Sequence, residues 1–405
     1  MNIFEKGYCR VYQAGMRVGM KILNFREPSI INGLDKLPDA VVKEGLGSVL
    51  IVTDDVLHNK LHLIDGLKQG LEEKGVKYCV FDKTVPNPTI PNIEEAYAMY
   101  KENACEGIIA FGGGSPMDCA KGVGCRVARP NKTIPQMKGT LKVRKKLPTI
   151  FAIPTTSGTG SEATVAAVVS NPETHEKYPI NDPVLIPKYA VLDPTLTLGL
   201  PKHITSTTGM DALTHAVEAY IGKSTTDQTR AWCVKATKLI FENLKDVYDD
   251  GTNLKKRKNM QWASFYAGEA FTRSYVGYVH SIAHTLGGMY GVPHGLANAV
   301  ILPHVLDYFG SSIYRPLAEL ANAVGIKGAS DEVKAKAFIR AIKEMNEYMQ
   351  IPTQIKGIKE EDIPTMVARS LKEANPLYPV PKFMGKEEMT AMYHEIMAPA
   401  EEETK

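Results

Sequence analysis

Asp211 and His215 stand four residues apart in "GMDALTHAVEAYIG" (209–222), and His280 and His284 stand four apart in "HSIAHTLGGMYGVPH" (280–294), which closes on His294. Of the ten histidines in the chain, five fall between His215 and His304. Residues four apart share one face of a helix, so each pair can aim two donors at one point. One carboxylate with up to three imidazoles suits a divalent first-row cation with an open position. Fe²⁺, Zn²⁺, Co²⁺, Ni²⁺ and Mn²⁺ all accept such a set, and spacing alone does not say which three histidines bind. His304, among apolar residues in "ILPHVL", reads as a core or surface histidine.

These donors need rigid helices. From about residue 203 onward, long amphipathic patterns such as "DQTRAWCVKATKLIFENL" and "VKAKAFIRAIKEMNEYM" predict an all-α half. The pattern around His280 is expected to end at Gly287 and Gly288, with His294 returning from a loop. Before residue 202 the rhythm differs. Short apolar runs, "SVLIVTDD" (48–55), "VKYCVFD" (76–82), "EGIIAFGGG" (106–114) and "PTIFAIPTT" (148–156), alternate with helical patterns. That order predicts βαβ units and a parallel sheet. The reading is an α/β, Rossmann-like dinucleotide-binding domain over 1–202, followed by an all-α metal-binding domain over 203–405. Residues 8–31 read as strand-like and able to pair between subunits, and the acidic tail "PAEEETK" reads as frayed.

Two turns in the first half favour phosphate. "EGIIAFGGGSPMDCAKGVG" puts glycines at a strand end and then opens a helix, with Ser115 as its expected cap, Pro116 in the first turn and Asp118 after it. Glycines allow close backbone approach, and the free N–H groups of a helix start attract a pyrophosphate. The spacing is not G-x-G-x-x-G. "AIPTTSGTGSEAT" (152–164) repeats the device with hydroxyls at Thr155, Thr156, Ser157 and Thr159. Asp54, ending "SVLIVTD", can accept hydrogen bonds from a ribose diol and would repel a 2′-phosphate, which favours NAD over NADP.

Composition narrows the classes. A net charge of +3 over 405 residues leaves no electrostatic footprint for nucleic acid or an anionic membrane, and the basic runs "KVRKK" (142–146) and "LKKRK" (254–258) read as solvated loops. The six cysteines show no C-x-x-C spacing, as expected of reduced thiols in a cytoplasmic protein. No window reaches the roughly 20 apolar residues of a membrane span, and no signal-peptide pattern opens the chain.

In order and at these separations, "IVTD" (51–54), "PNPT" (86–89), "GGGSPMDCAK" (112–121), "PTTSGTGSE" (154–162), "DALTHAVEAY" (211–220) and "HSIAHTLGGMYGVPHGLANAVILPHV" (280–305) resemble the iron-containing (group III) alcohol dehydrogenases over essentially the whole chain. The resemblance implies that Asp211, His215, His280 and His294 hold the metal, Fe²⁺ first and Zn²⁺ or another first-row ion second. It implies that His284 is the non-ligand histidine near the nicotinamide. Gly113, Gly114, Ser115 and Asp118 correspond to the phosphate loop, Thr155, Thr156 and Thr159 to the second cofactor loop, Asp54 to the ribose aspartate, and Asn87 and Lys177 to further cofactor contacts. It also implies a small alcohol, diol or hydroxyaldehyde as substrate, with catalysis involving His280 and His284, and a homodimer or higher homo-oligomer.

The expected chemistry is hydride transfer between a carbinol carbon and the nicotinamide, with the metal as Lewis acid and His284 relaying the substrate proton or lining the pocket. Two alternatives accompany this reading. Arg273 and Tyr275, in "AGEAFTRSYVGYVH" (267–280), stand where the family often has small residues, so Arg273 could hold an anionic aldehyde bearing a carboxylate or sulfonate. The similar dehydroquinate-synthase-type lyases use the same architecture with NAD and a metal.

Overall fold

The computed structural model describes residues 1–22 and 25–399; the acidic tail lies almost wholly outside them. Its centre is a six-stranded sheet in the order β1-β9-β6-β4-β2-β3, built from β1 (Ser29–Asn32), β2 (Ser48–Val52), β3 (Lys77–Phe81), β4 (Gly107–Gly112), β6 (Thr149–Pro154) and β9 (Tyr189–Leu192). Every pairing within it is parallel. Alternation of side chains along each strand sorts the core into two layers. Leu50, Val52, Ile108, Ala110, Ile150 and Ala152 pack on one face, and Val49, Ile51, Ile109, Phe111, Phe151 and Ile153 on the other. Both faces are covered, which is why these strands are continuous apolar runs rather than alternating ones.

From β2 the chain crosses outward to β3, then returns to lay β4 on the other side of β2 and continues away through β6 and β9. The connections therefore diverge between β2 and β4, and a crevice opens at their carboxyl ends. Asp54 follows β2 and Gly112–Gly114 end β4, so both sit at that crevice. A second sheet was not foreseen from sequence: β7 (Ala166–Asn171) and β8 (Glu176–Asn181) form an antiparallel hairpin, and the two-residue β5 (Gly139–Thr140) pairs parallel to β8.

Every regular element between residues 202 and 396 is a helix. The Lys202–Ile221 helix runs through the middle of this layer and is buried on nearly every side from Thr205 onward. Three expectations are corrected here. Residues 3–22 form a helix rather than strand, and only 29–32 of the strand-like segment joins the sheet. Cys9, Arg10 and Gln13, within about one helical turn, anchor that helix: Cys9 is buried, Arg10 donates to the Val380 carbonyl at 2.8 Å and Gln13 to that of Tyr378 at 2.7 Å. Partners some 365 residues away in sequence leave no local trace. The basic run at 254–258 opens a helix, and Arg257 is buried with its guanidinium donating to Thr205 Oγ1 at 2.9 Å. The helix around His280 continues past Gly287 and Gly288 to Tyr290 and is closed by Gly291 in the left-handed region. A Cβ on Gly288 would lie 3.0 Å from the His175 carbonyl oxygen, so this glycine serves close packing against β8.

The two halves interlock backbone to backbone. Gly160, with φ of +58°, sits against Gly268 inside the Leu254–Ser274 helix, and a Cβ on Gly268 would lie 2.7 Å from the Gly160 carbonyl oxygen. In place of the roughly 1 kcal/mol that Gly→Ala contributes inside an ordinary helix, Gly268→Ala is expected to destabilise by about 1–3 kcal/mol. Thermal melting of the variant checks this, with a lowered Tm expected.

Candidate metal and nucleotide site

Asp211 and His215 project from one face of the Lys202–Ile221 helix, His280 from the first turn of the Tyr278–Tyr290 helix, and His294 is the first residue of the His294–Phe309 helix. The expectation of a loop for His294 is thereby corrected: Pro293 sets the entry to a helix that starts at the histidine itself. One potential ligand atom from each of the four residues lies within 4.8 Å of the others. His294 Nε2 is 3.8 Å and His215 Nδ1 4.0 Å from Asp211 Oδ1. Asp211, His215 and His280 are buried, whereas His294 keeps about a fifth of its side chain exposed.

The donor set passes a direct test of fit for a cation. His215 Nδ1 is buried with no hydrogen-bond partner. His280 Nδ1 is held by the Glu218 carboxylate at 2.6 Å, so the ring donates there and its Nε2 lone pair is left for the cluster. Burial drives the pKa values of His215 and His294 well below the usual imidazole range, with neighbouring positive charge adding to it, so both rings stay neutral. Burial also raises the Asp211 carboxyl, opposed by His280 and by a hydrogen bond from Asn298. The Asn298 amide donates to Asp211 Oδ1 at 2.6 Å and reaches His280 Nε2 and His294 Nε2 at 3.3 and 3.2 Å. Asn298 thus ties three of the four donors together.

Two of these residues escaped the reading of the sequence, and each had a signal. Glu218 is seven residues beyond Asp211 and Asn298 four beyond His294, both on the ligand-bearing helix faces. Glu218 also accepts the backbone N–H groups of Gly277 at 2.9 Å and Val279 at 2.8 Å. It therefore caps the His280 helix from a different helix and sets the imidazole tautomer at the same time.

The nucleotide side meets this cluster across one cavity of about 150 Å³. Asn87, Gly114, Ser115, Asp118, Thr159 and Lys177 line it from the sheet half, and His215, His280, His284 and His294 from the helical half. Gly113 is the N-cap of the Gly114–Ala128 helix and makes no side-chain cap, and no acidic residue occupies the first turn. The helix start thus offers unneutralised N–H groups to an anion. Ser115 is not the cap that was expected, because the helix begins two residues earlier, at Gly114, and the Ser115 hydroxyl accepts the Asn87 N–H at 3.2 Å. The glycines make room for the second turn: a Cβ on Gly114 would meet Thr159 Cγ2 at 2.7 Å, and one on Gly113 would touch Thr156 at 3.4 Å. The Thr155 N–H donates to the Gly112 carbonyl at 3.0 Å, binding the two turns together. This glycine cradle fits a pyrophosphate.

Asp118 is partly buried and accepts from Ser161 Oγ at 2.9 Å and the Val168 N–H at 3.1 Å, and desolvation raises its pKa. Lys121, one turn on, donates to Thr164 Oγ1 at 2.9 Å and the Ala166 carbonyl at 2.8 Å, its pKa pushed down to about 8 by burial. Together they grip the second loop. Lys177, also pushed down to about 8 by burial, donates to Asn87 Oδ1 at 2.7 Å. Asp54, Gly113, Thr155 and Thr156 stand at the strand ends outside the cavity wall; Asp54 accepts the Leu57 N–H at 3.0 Å. His284 lines the cavity beside His294, ring centroids 5.3 Å apart. His304 is remote from the cluster, 3.5 Å from Glu395.

Arg273 does not reach the cavity. Its guanidinium is paired with the buried Glu269 carboxylate, donates to the Glu269 carbonyl at 3.1 Å and lies over the Trp232 ring at 5.0 Å. A buried carboxylate one turn away is a stronger partner than solvent, and it turns the side chain from the site. Arg273 therefore does not stand where the anionic-aldehyde alternative required it. Tyr275, by contrast, is on the cavity wall, with φ of +64° at the end of its helix.

A glycine-cradled crevice facing an Asp-His₃ cluster is the architecture of an enzyme that brings a nucleotide and a divalent metal to one cavity. Comparison with known proteins gives the family. Residues 30–194 match the model of iron-containing alcohol dehydrogenase and residues 205–397 that of the Fe-containing alcohol dehydrogenase family, C-terminal. 1,3-Propanediol dehydrogenase of Klebsiella pneumoniae is 39% identical over 351 residues, covering 85% of this chain and 90% of that protein. NAD-dependent methanol dehydrogenase of Bacillus methanolicus is 35% identical, covering 81% and 87%. A crystal structure of 1,3-propanediol oxidoreductase superposes with a TM-score of 0.87 at 35% identity, over 92% of this chain and 99% of that one. The chain belongs to the iron-containing alcohol dehydrogenase family and is an alcohol dehydrogenase, which sets aside the lyase alternative. Among the described residues no helix is long and apolar enough to cross a membrane.

Glu218→Gln keeps the shape of the side chain but removes the charge that orients His280. Metal affinity is expected to fall roughly 10- to 100-fold, measured as metal retained after dialysis against graded chelator.

Proposed function

We propose that this chain is an NAD-dependent dehydrogenase of small neutral primary alcohols and diols, and reductase of the corresponding aldehydes, with one divalent metal, Fe²⁺ first and Zn²⁺ or another first-row ion second. The observation that carries it is the single cavity in which the metal-ligand cluster, His284 and the start of the glycine-cradled helix face one another. Asp211, His215, His280 and His294 hold the metal, and Asp54, Asn87, Gly113, Gly114, Ser115, Asp118, Thr155, Thr156, Thr159 and Lys177 serve the nucleotide. When bound, these groups supply Lewis acidity to the substrate oxygen and a two-electron hydride acceptor or donor.

The protein's own side chains do the rest. Val165, Ala166, Val168, Phe271 and Val276 make an apolar wall that excludes water and fits a short carbon chain. With Arg273 bound to Glu269, nothing on the helix that bears it offers a cation to a carboxylate or sulfonate. The Asp54 carboxylate at the β2 end supports NAD over NADP by repelling a 2′-phosphate. A cytoplasmic homodimer, with the nucleotide and metal halves divided at 202/203, completes this reading.

Two measurements test it. NADH absorbance followed with short aldehydes, hydroxyaldehydes and anionic aldehydes, each with Fe²⁺, Zn²⁺, Co²⁺, Ni²⁺ or Mn²⁺ added anaerobically, is expected to fall fastest with the neutral substrates. No oxidation with any pairing would overturn the proposal. Asp54→Gly is expected to improve the kcat/KM ratio of NADPH to NADH by about tenfold, as loss of a repulsion near 1.4 kcal/mol requires; an unchanged ratio removes Asp54 from cofactor choice.

A further inference from the structure

His284 and His280 sit one turn apart on the same helix, and each ring has its own carboxylate on Nδ1. For His280 the carboxylate is Glu218. For His284 it is Glu373, in the last turn of the Ile363–Ala374 helix, with Oε1 2.7 Å from the ring nitrogen. The Tyr378 hydroxyl donates to the same oxygen, also at 2.7 Å. An ionised carboxylate only accepts, so Nδ1 of His284 must carry the hydrogen of that contact. The neutral ring then has its lone pair on Nε2.

Glu373 has a second distinctive position. It is absent from the wall of the catalytic cavity but lines a larger adjoining one of about 730 Å³. His284, Lys177 and Tyr378 belong to both walls. The imidazole therefore forms part of the partition, with substrate on one side and the carboxylate on the other. Glu373 keeps 16% of its side chain exposed and His284 only 6%, so water reaches the carboxylate while the ring is shielded.

We infer that Glu373 is the positioning residue for His284, assisted by Tyr378. By holding the Nδ1–H it locks the ring in one tautomer and one orientation, so that Nε2 presents a hydrogen-bond acceptor to the hydroxyl of an alcohol in the cavity. That aligns the O–H for oxidation without Glu373 touching the substrate. Glu218 prepares His280 to bind the metal by the same device, so two carboxylates on two different helices divide adjacent imidazoles between ligation and substrate orientation. The inference rests on the dehydrogenase reading for the substrate, but the tautomer itself does not depend on turnover.

The decisive measurement is ¹⁵N NMR of the histidine-labelled, metal-loaded protein, with the His284 signals assigned by their loss in His284→Asn. An Nδ1–H, Nε2-bare ring is expected in the native chain and a mixture of tautomers in Glu373→Gln, whose amide both donates and accepts. In parallel, Glu373→Gln is expected to lower kcat for alcohol oxidation about 10- to 100-fold with metal content, NADH affinity and Tm unchanged. Glu373→Asp should recover part of the loss, and Tyr378→Phe should lower kcat less than Glu373→Gln. An Nε2–H ring in the native protein, or unchanged kcat in Glu373→Gln, overturns the inference. If Glu373→Gln does not fold, the tautomer of the native ring and the kcat of Tyr378→Phe decide. A native enzyme inactive on every alcohol while His284 shows the expected tautomer refutes the substrate reading and leaves the positioning intact.

Discussion

The site depends on one buried carboxylate. Glu218 receives three donors, the N–H groups of Gly277 and Val279 and the Nδ1–H of His280. A single side chain thus satisfies the open start of one helix, ties that helix to the central one, and aims a ligand at the cluster. An ionised group in the core is costly unless every lone pair is used. Here the requirement works as a constraint: the charge is solvated only when the two ligand-bearing helices stand in the correct register. The placement of His280 and the packing of its helix are therefore set by the same hydrogen bonds.

The nucleotide half meets the same demand with small residues instead of charge. Glycines at the β4 end let the second loop press against the start of the Gly114–Ala128 helix, and Asp118 and Lys121 on that helix hold the loop from below. Gly160 then carries the loop into backbone contact with Gly268 of the helical half. The cavity wall is continuous because the two halves touch where no side chain stands between them. An added methyl group there would have to move one half against the other, since packed interiors do not absorb such volumes.

Polar side chains that look available in the sequence are mostly committed in the structure. Ser115 serves Asn87, Lys177 serves the side chain of the same asparagine, and Arg273 serves Glu269. These pairings leave few polar groups uncommitted around the cavity, and Arg273 in particular is turned away from it.

The motifs, the parallel sheet and the pairing of Asp211 with His215 and of His280 with His284 were legible along the chain because each depends on a local pattern: short continuous apolar runs for buried strands, a spacing near four for helix faces, and glycine where backbone must approach closely. Spacing left open which histidines join Asp211, and the resemblance pointed to His215, His280 and His294, the three that the fold gathers beside it. What tertiary structure alone decided is which partner each polar group finds. Glu218, Asn298 and Glu373 act on histidines between 4 and 89 residues away in sequence, and the anchors of the first helix reach partners near the other end of the chain. A residue type states what bonds a group can make. Only the fold, by bringing distant segments into contact and excluding water between them, determines which of those bonds form.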